Sequence, residues 1–265
     1  MNLITSQHNS RLKELRKLAR ARERARSGRF LAEGEDLVRA ASAAGRPALE
    51  GFRMAGTEIG GPSFQDVEAG VLAGVSTLGS GTRAIGVYEQ RFGEPVGPLC
   101  VYLHGVADPG NVGTVLRSAL AFGASSVALG PGCADPHSPK AVRASMGAIF
   151  AVSIARVDAI DELPGERVAL LAGAGVPVWE VAEQTPRYIP NRGTRVRARG
   201  SAECQCRRAL TLLVGAEREG LPDDVVGVCE RIAHIPIASE SLNAAMAATV
   251  ALYEITRPST RVPAS

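Results

Sequence analysis

Leu99-Cys100-Val101-Tyr102-Leu103 leads through His104-Gly105-Val106-Ala107 into Asp108-Pro109-Gly110-Asn111-Val112-Gly113-Thr114-Val115-Leu116-Arg117-Ser118-Ala119, and this stretch decides the fold. The opening run is continuously apolar, as expected of a strand covered on both faces in a parallel sheet. A glycine-bearing turn follows, and apolar residues then recur at helical spacing, which predicts a helix over 112–122. The same alternation continues downstream. Strands are expected at 127–129, 152–155, 168–171, 209–214 and 233–236, and helices at 139–146, 222–230 and 242–256. Strand and helix in turn define an α/β domain with a parallel sheet.

Upstream of Leu99 the pattern changes. Gly93-Glu94-Pro95-Val96-Gly97-Pro98 reads as a linker, which predicts a smaller α/β domain over 1–93 and a larger one over 98–258. Within the smaller domain, Leu12, Leu15, Leu18 and Ala19 recur at helical spacing and predict one basic helix over 9–26. A short helix over 36–44 is expected to end at Gly45. Residues 49–92 read as short pieces broken at Gly60-Gly61-Pro62 and Gly79-Ser80-Gly81.

Charge is distributed unevenly along the 265 residues, whose formal net charge is only +3. Residues 1–30 carry seven Arg and two Lys against Glu14 and Glu23, and residues 187–208 carry seven Arg against Glu203. The remainder is therefore acidic, and two basic segments on an acidic body point to a polyanionic partner. Nearly all the cations are Arg, whose forked donors match phosphate oxygens. Arg11, Lys13, Arg20, Arg22, Arg24 and Arg26 in the first segment, and Arg195 and Arg197 in the second, are the candidate contacts to a nucleic acid. No run of about 18 apolar residues occurs, so no membrane span is expected. The basic N-terminus lacks an apolar signal core, and the five cysteines follow no disulfide framework, so reduced thiols in the cytoplasm are expected. Cys204 and Cys206 form a C-x-C pair without further ligands at suitable spacing, so no metal site is expected.

Three places could carry chemistry. The first is the turn and helix at 108–119, where glycines permit close backbone approach and helix amides favour anions. Its spacing fits neither the dinucleotide fingerprint nor the Walker A pattern. The second is Val214-Gly215-Ala216-Glu217-Arg218-Glu219-Gly220-Leu221-Pro222, where an apolar strand ends in a turn rich in acids. Ligands in open α/β sheets bind at such carboxyl ends. The third is Ile235-Pro236-Ile237-Ala238-Ser239-Glu240-Ser241-Leu242-Asn243, leading into the last helix, with Ser241 placed as its N-cap.

Together and in this order, the three resemble the motifs of the SpoU family, also called TrmH, within the SPOUT methyltransferases. The first motif is matched by Asn111, Gly113 and Arg117-Ser118-Ala119; the second by Gly215, Glu217 and Gly220. The third is matched by Ile235-Pro236, Ser241-Leu242-Asn243 and Tyr253-Glu254. Ile4-Thr5-Ser6, Asn9, Arg11-Leu12-Lys13 and Phe30-Leu31-Ala32-Glu33-Gly34 are similar to the N-terminal RNA-binding extension of members that act on ribosomal RNA. The third motif departs from the family in being about two residues short and in reading Ala244-Ala245 after Asn243.

The resemblance implies a C-terminal trefoil knot, S-adenosylmethionine as cofactor, a homodimer, and methyl transfer to a ribose 2′-hydroxyl, with 23S ribosomal RNA preferred. It implies Asn111, Arg117, Glu217, Ser241 and Asn243 as catalytic residues, and Gly215, Ile235, Leu242, Ala172 and Ala244 as cofactor contacts. Arg117 would contact the substrate; because arginine stays protonated, orienting the hydroxyl and its phosphate is the role that physical chemistry favours. Transfer RNA as the substrate, and an inactive RNA-binding protein, are the competing readings.

Overall fold

A computed structural model describes residues 3–76, 81–184 and 209–257. The helices and strands in chain order begin with α1 (Ser10–Lys17), α2 (Ala21–Ser27), β1 (Arg29–Glu33), α3 (Glu35–Ala43), β2 (Glu50–Met54), β3 (Phe64–Val67), α4 (Ala69–Ala73) and β4 (Ala84–Glu89). They continue with β5 (Leu99–Leu103), α5 (Pro109–Ala121), β6 (Ser126–Leu129), α6 (Pro139–Ala144), β7 (Ser153–Arg156), β8 (Glu166–Leu170) and β9 (Val176–Pro177). The last are α7 (Val178–Gln184), β10 (Leu210–Val214), α8 (Asp223–Gly227), β11 (Arg231–His234) and α9 (Ala244–Thr256).

The chain packs as two compact units. One comprises residues 1–92, 108–117 and 134–151; the other comprises 93–107, 118–133 and 152–265. In the first, four strands form a sheet in the order β1-β4-β2-β3. Phe30 pairs with Tyr88 across the antiparallel β1–β4 ladder. Leu12, Leu15 and Leu18 pack with Leu31, Phe52, Leu72 and Ile85 in its core.

The single helix expected over 9–26 is two. α1 closes at Leu18, and Arg20 adopts an extended conformation before α2 begins. The break is held by Arg24. Its guanidinium donates to the carbonyls of Leu18 at 3.0 Å and Ala19 at 2.8 Å, and pairs with Asp135 at 2.7 Å. The carbonyls freed by interrupting the helix thus find donors, as buried backbone groups require. Helix α3 ends much as expected, with Gly45 at φ +68° after Ala44.

In the second unit, seven strands form an all-parallel sheet in the order β7-β6-β5-β10-β8-β11-β9. Every residue of β5, β6 and β10 is buried, which explains why these strands lack polar alternation. The element order agrees with the sequence reading, while boundaries move by one to three residues. Strand β9 and helix α7 had no counterpart in that reading; Val178 and Val181 bury the inner face of α7 completely. The last helix starts at Ala244, two residues later than expected. Asn243, not Ser241, is its N-cap: the Asn243 side chain accepts from the amides of Ala245 at 3.0 Å and Met246 at 3.3 Å. Among the described residues, no helix is long and apolar enough to cross a membrane.

Candidate functional site

Strands β8, β10 and β11 all run in one direction, so their carboxyl ends lie side by side. A cleft of about 350 Å³ opens there. Its walls come from Leu170-Leu171-Ala172 at the end of β8, from residues 214–220 at the end of β10, from Ile235 and Ile237 after β11, and from Glu240, Ser241, Leu242, Ala244 and Ala247 around the start of α9. This is where a parallel sheet presents its ligand sites.

The turn after β10 is a closed hairpin. Ala216 and Gly220 exchange backbone hydrogen bonds at 3.2 and 3.0 Å, and Gly220 sits at φ +69°. A side chain on Gly215 would collide with the backbone of Gly220, so the two glycines of the second motif are what allow the strand to turn so tightly. The hairpin lifts Glu217, Arg218 and Glu219 into solvent at the mouth of the cleft, while Leu221 is buried beneath.

All five expected cofactor contacts, Gly215, Ile235, Leu242, Ala172 and Ala244, line this cleft. Glu217 and Ser241 line it as well, and Asn243 lies between two lining residues with its side chain on the first turn of α9. Leu170, Leu171, Ile237, Glu240 and Ala247 also line the cleft and were not named as site residues from the sequence. The usable signal was their position, at or just past a strand end or one helical turn beyond Ala244. The lining suits a nucleoside joined to a sulfonium. Apolar walls from Leu171, Ile235, Leu242 and Ala247 can cover an adenine ring, and Glu217, Glu219 and Glu240 outnumber Arg218 around a cationic group.

Asn111 and Arg117 are not among the residues lining the cleft; both lie on α5. Asp108 caps the start of that helix, accepting from the Asn111 amide at 3.0 Å. The Lys140 ammonium, 2.6 Å away, holds the Asp108 carboxyl below the usual range. Gly113 lets α5 approach α6, since a side chain there would collide with Ala141 and Ala144. Arg117 follows one turn later and is exposed. Among the described residues it has no ion-pair partner.

Of the candidate RNA contacts, Lys13, Arg20 and Arg22 are exposed. Arg11 is exposed but bound to Glu50 at 2.8 Å, and Arg26 is exposed and bound to Glu23 at 2.7 Å. Arg24 is a correction: it is 3% exposed and spends its donors inside the protein, so it belongs to the core rather than to the basic surface. Arg195 and Arg197 lie outside the described residues.

Comparison with known proteins fits this architecture. The model of the SpoU rRNA Methylase family matches residues 98–253, and that of the MRM3-like substrate binding domain matches residues 9–59. The chain is 26% identical over 276 residues to the 23S rRNA (guanosine(2553)-2′-O)-methyltransferase RlmP of Bacillus subtilis, covering 96% of this chain and 99% of the relative. It is 34% identical over 156 residues to the 23S rRNA (uridine(2479)-2′-O)-methyltransferase of Streptomyces viridochromogenes, covering 56% of this chain and 49% of that protein. Among solved structures, the AdoMet-bound rRNA methyltransferase from Sinorhizobium meliloti superposes with a TM-score of 0.76 at 28% identity, covering 96% of this chain and 97% of that one. Fold and cleft together define an α/β methyltransferase that uses S-adenosylmethionine and acts on RNA. The chain belongs to the SpoU rRNA methylase family.

Proposed function

We propose that this protein methylates a ribose 2′-hydroxyl of 23S ribosomal RNA in the cytoplasm, as a homodimer. In this reading residues 1–93 grip the RNA, and residues 98–258 form the catalytic domain with the trefoil knot of its family. The observation that carries it is the cleft at the ends of β8, β10 and β11, whose lining contains every residue named from the sequence as a cofactor contact. The likeness to RlmP over nearly the whole of both chains supports the ribosomal substrate.

S-adenosylmethionine, held by Ala172, Gly215, Ile235, Leu242 and Ala244, supplies an electrophilic methyl group. The chain's own residues do the rest. The apolar walls exclude water from the reacting centre. Glu217, Ser241, Asn243 and Asn111 shape and hydrogen-bond the reacting region. Arg117 orients the target ribose through its hydroxyl and neighbouring phosphate; a guanidinium that keeps its proton is suited to that role rather than to removing one. The dimer is supported by an apolar face left open on the second unit, where Leu120, Met246, Val250 and Tyr253 are exposed.

The test is to incubate the protein with ribosomal RNA and labelled S-adenosylmethionine and to map ribose methylation by primer-extension stops. Label at one ribose is expected. Arg117→Ala is expected to lower transfer by about 10²-fold, the usual effect of misplacing a reactant, while cofactor affinity is unchanged. Equal transfer by the variant would remove Arg117 from the mechanism.

A further inference from the structure

The mechanism above leaves one basic surface of the first unit unused. Helix α6 buries Ala141 and Val142 and turns Lys140 and Arg143 outward. It packs against α5 where Gly113 meets Ala141 and Ala144, so Arg143 adjoins the contact and Arg117 lies one turn beyond it on α5. Neither helix contains an acidic residue. Asp108, at the start of α5, is neutralised by Lys140. Among the described residues Arg117 and Arg143, on adjoining helices, form no ion pair.

Met146, three residues after Arg143, is the one non-glycine residue with positive φ, at +48°, among the described residues. Its neighbours impose this conformation. Ser145 is fully buried, with its hydroxyl donating to the Val142 carbonyl at 2.7 Å. Gly147, at φ +92°, lies so close to Ala40 that a side chain there would sit 2.5 Å from the Ala40 methyl. The pinned turn throws Met146 outward with 55% of its surface exposed. A bulky side chain in the left-handed region costs free energy, and a side chain more than half exposed recovers little of that cost from packing.

We propose that Arg143 and Met146 form a subsite for the RNA flanking the target ribose, with Arg143 on a backbone phosphate and Met146 against the face of an adjacent base. A guanidinium without an ion partner suits a phosphate, and a thioether makes favourable contacts with aromatic rings. The inference rests on the RNA methyltransferase reading and extends its substrate contacts beyond Arg117.

The experiment measures RNA affinity against salt, the KM for a methylatable ribosomal RNA fragment, the S-adenosylmethionine Kd and the Tm for wild type, Arg143→Gln and Met146→Gly. Arg143→Gln is expected to weaken RNA binding about tenfold, the size of one charge-assisted contact, and to lower the salt slope by about one, with the cofactor Kd unchanged. Met146→Gly relieves the backbone, so its Tm is expected to rise by about 2 °C while its KM for RNA also rises. A purely structural methionine would raise Tm and leave KM alone, and that result overturns the base contact. An unchanged salt slope in Arg143→Gln overturns the phosphate contact. Wild-type protein that transfers no methyl to any RNA would instead overturn the underlying reading.

Discussion

Arg24 carries its charge into a site that is 3% exposed, and Asp135 meets it there at 2.7 Å. Removing one partner of such a pair is far costlier than the pair's own net contribution, because the other charge is left behind. Arg24→Gln is therefore expected to destabilise the protein by about 3 kcal/mol, read as a fall in Tm. Arg20→Gln and Arg22→Gln, at exposed positions four and two residues before it, are expected to leave Tm unchanged and to lower the salt slope of RNA binding. If all three variants behave alike, the division of this segment into core and surface arginines is wrong. The sequence alone could not make that division. Arg20, Arg22, Arg24 and Arg26 look equivalent in a row, and Asp135, which singles out one of them, lies 111 residues further along the chain. Gly215 and Gly220 were legible for the opposite reason: the turn that needs them is built from residues a few positions apart.

At the scale of elements, the start of α9 joins stability to the cofactor cleft. Asn243 caps the helix, and Ala244 and Ala247 on its first turn line the cleft. Asn243→Ala is expected to cost about 1 kcal/mol through loss of the cap. It should also weaken S-adenosylmethionine binding, whereas Asn243→Asp retains the cap and restores Tm. A Tm unmoved by the alanine variant would show that the cap contributes nothing. Serine and asparagine rank nearly equal as caps, so local preference could not choose between Ser241 and Asn243. Existence and type of the longer elements were readable from apolar periodicity. Strand β9, two residues long, has too few residues to show a period, and the break between α1 and α2 depends on a buried side chain rather than on a glycine or proline.

For the whole molecule, the parallel α/β sheet followed from the alternation of apolar runs, but its strand order did not. Nothing local says that β10 lies between β5 and β8; that order is set by packing across the sheet. The open apolar face has a similar origin. Ser118 bonds Thr249 at 2.6 Å and Phe122 meets Tyr253 edge-on at 6.1 Å, so α5 and α9 jointly present Leu120, Met246, Val250 and Tyr253. The combined Met246→Glu and Tyr253→Glu variant is expected to sediment as a monomer and the wild type as a dimer; a monomeric wild type would refute the assembly. The central position of β10 also sets a timetable for the growing polypeptide. Strands β5 and β8 flank a slot that stays vacant until residues 210–214 have left the ribosome, so two greasy borders wait open from the synthesis of β8 to that of β10. A product stalled between β8 and β10 would expose both borders at once, so such a fragment is expected to aggregate where the whole chain does not.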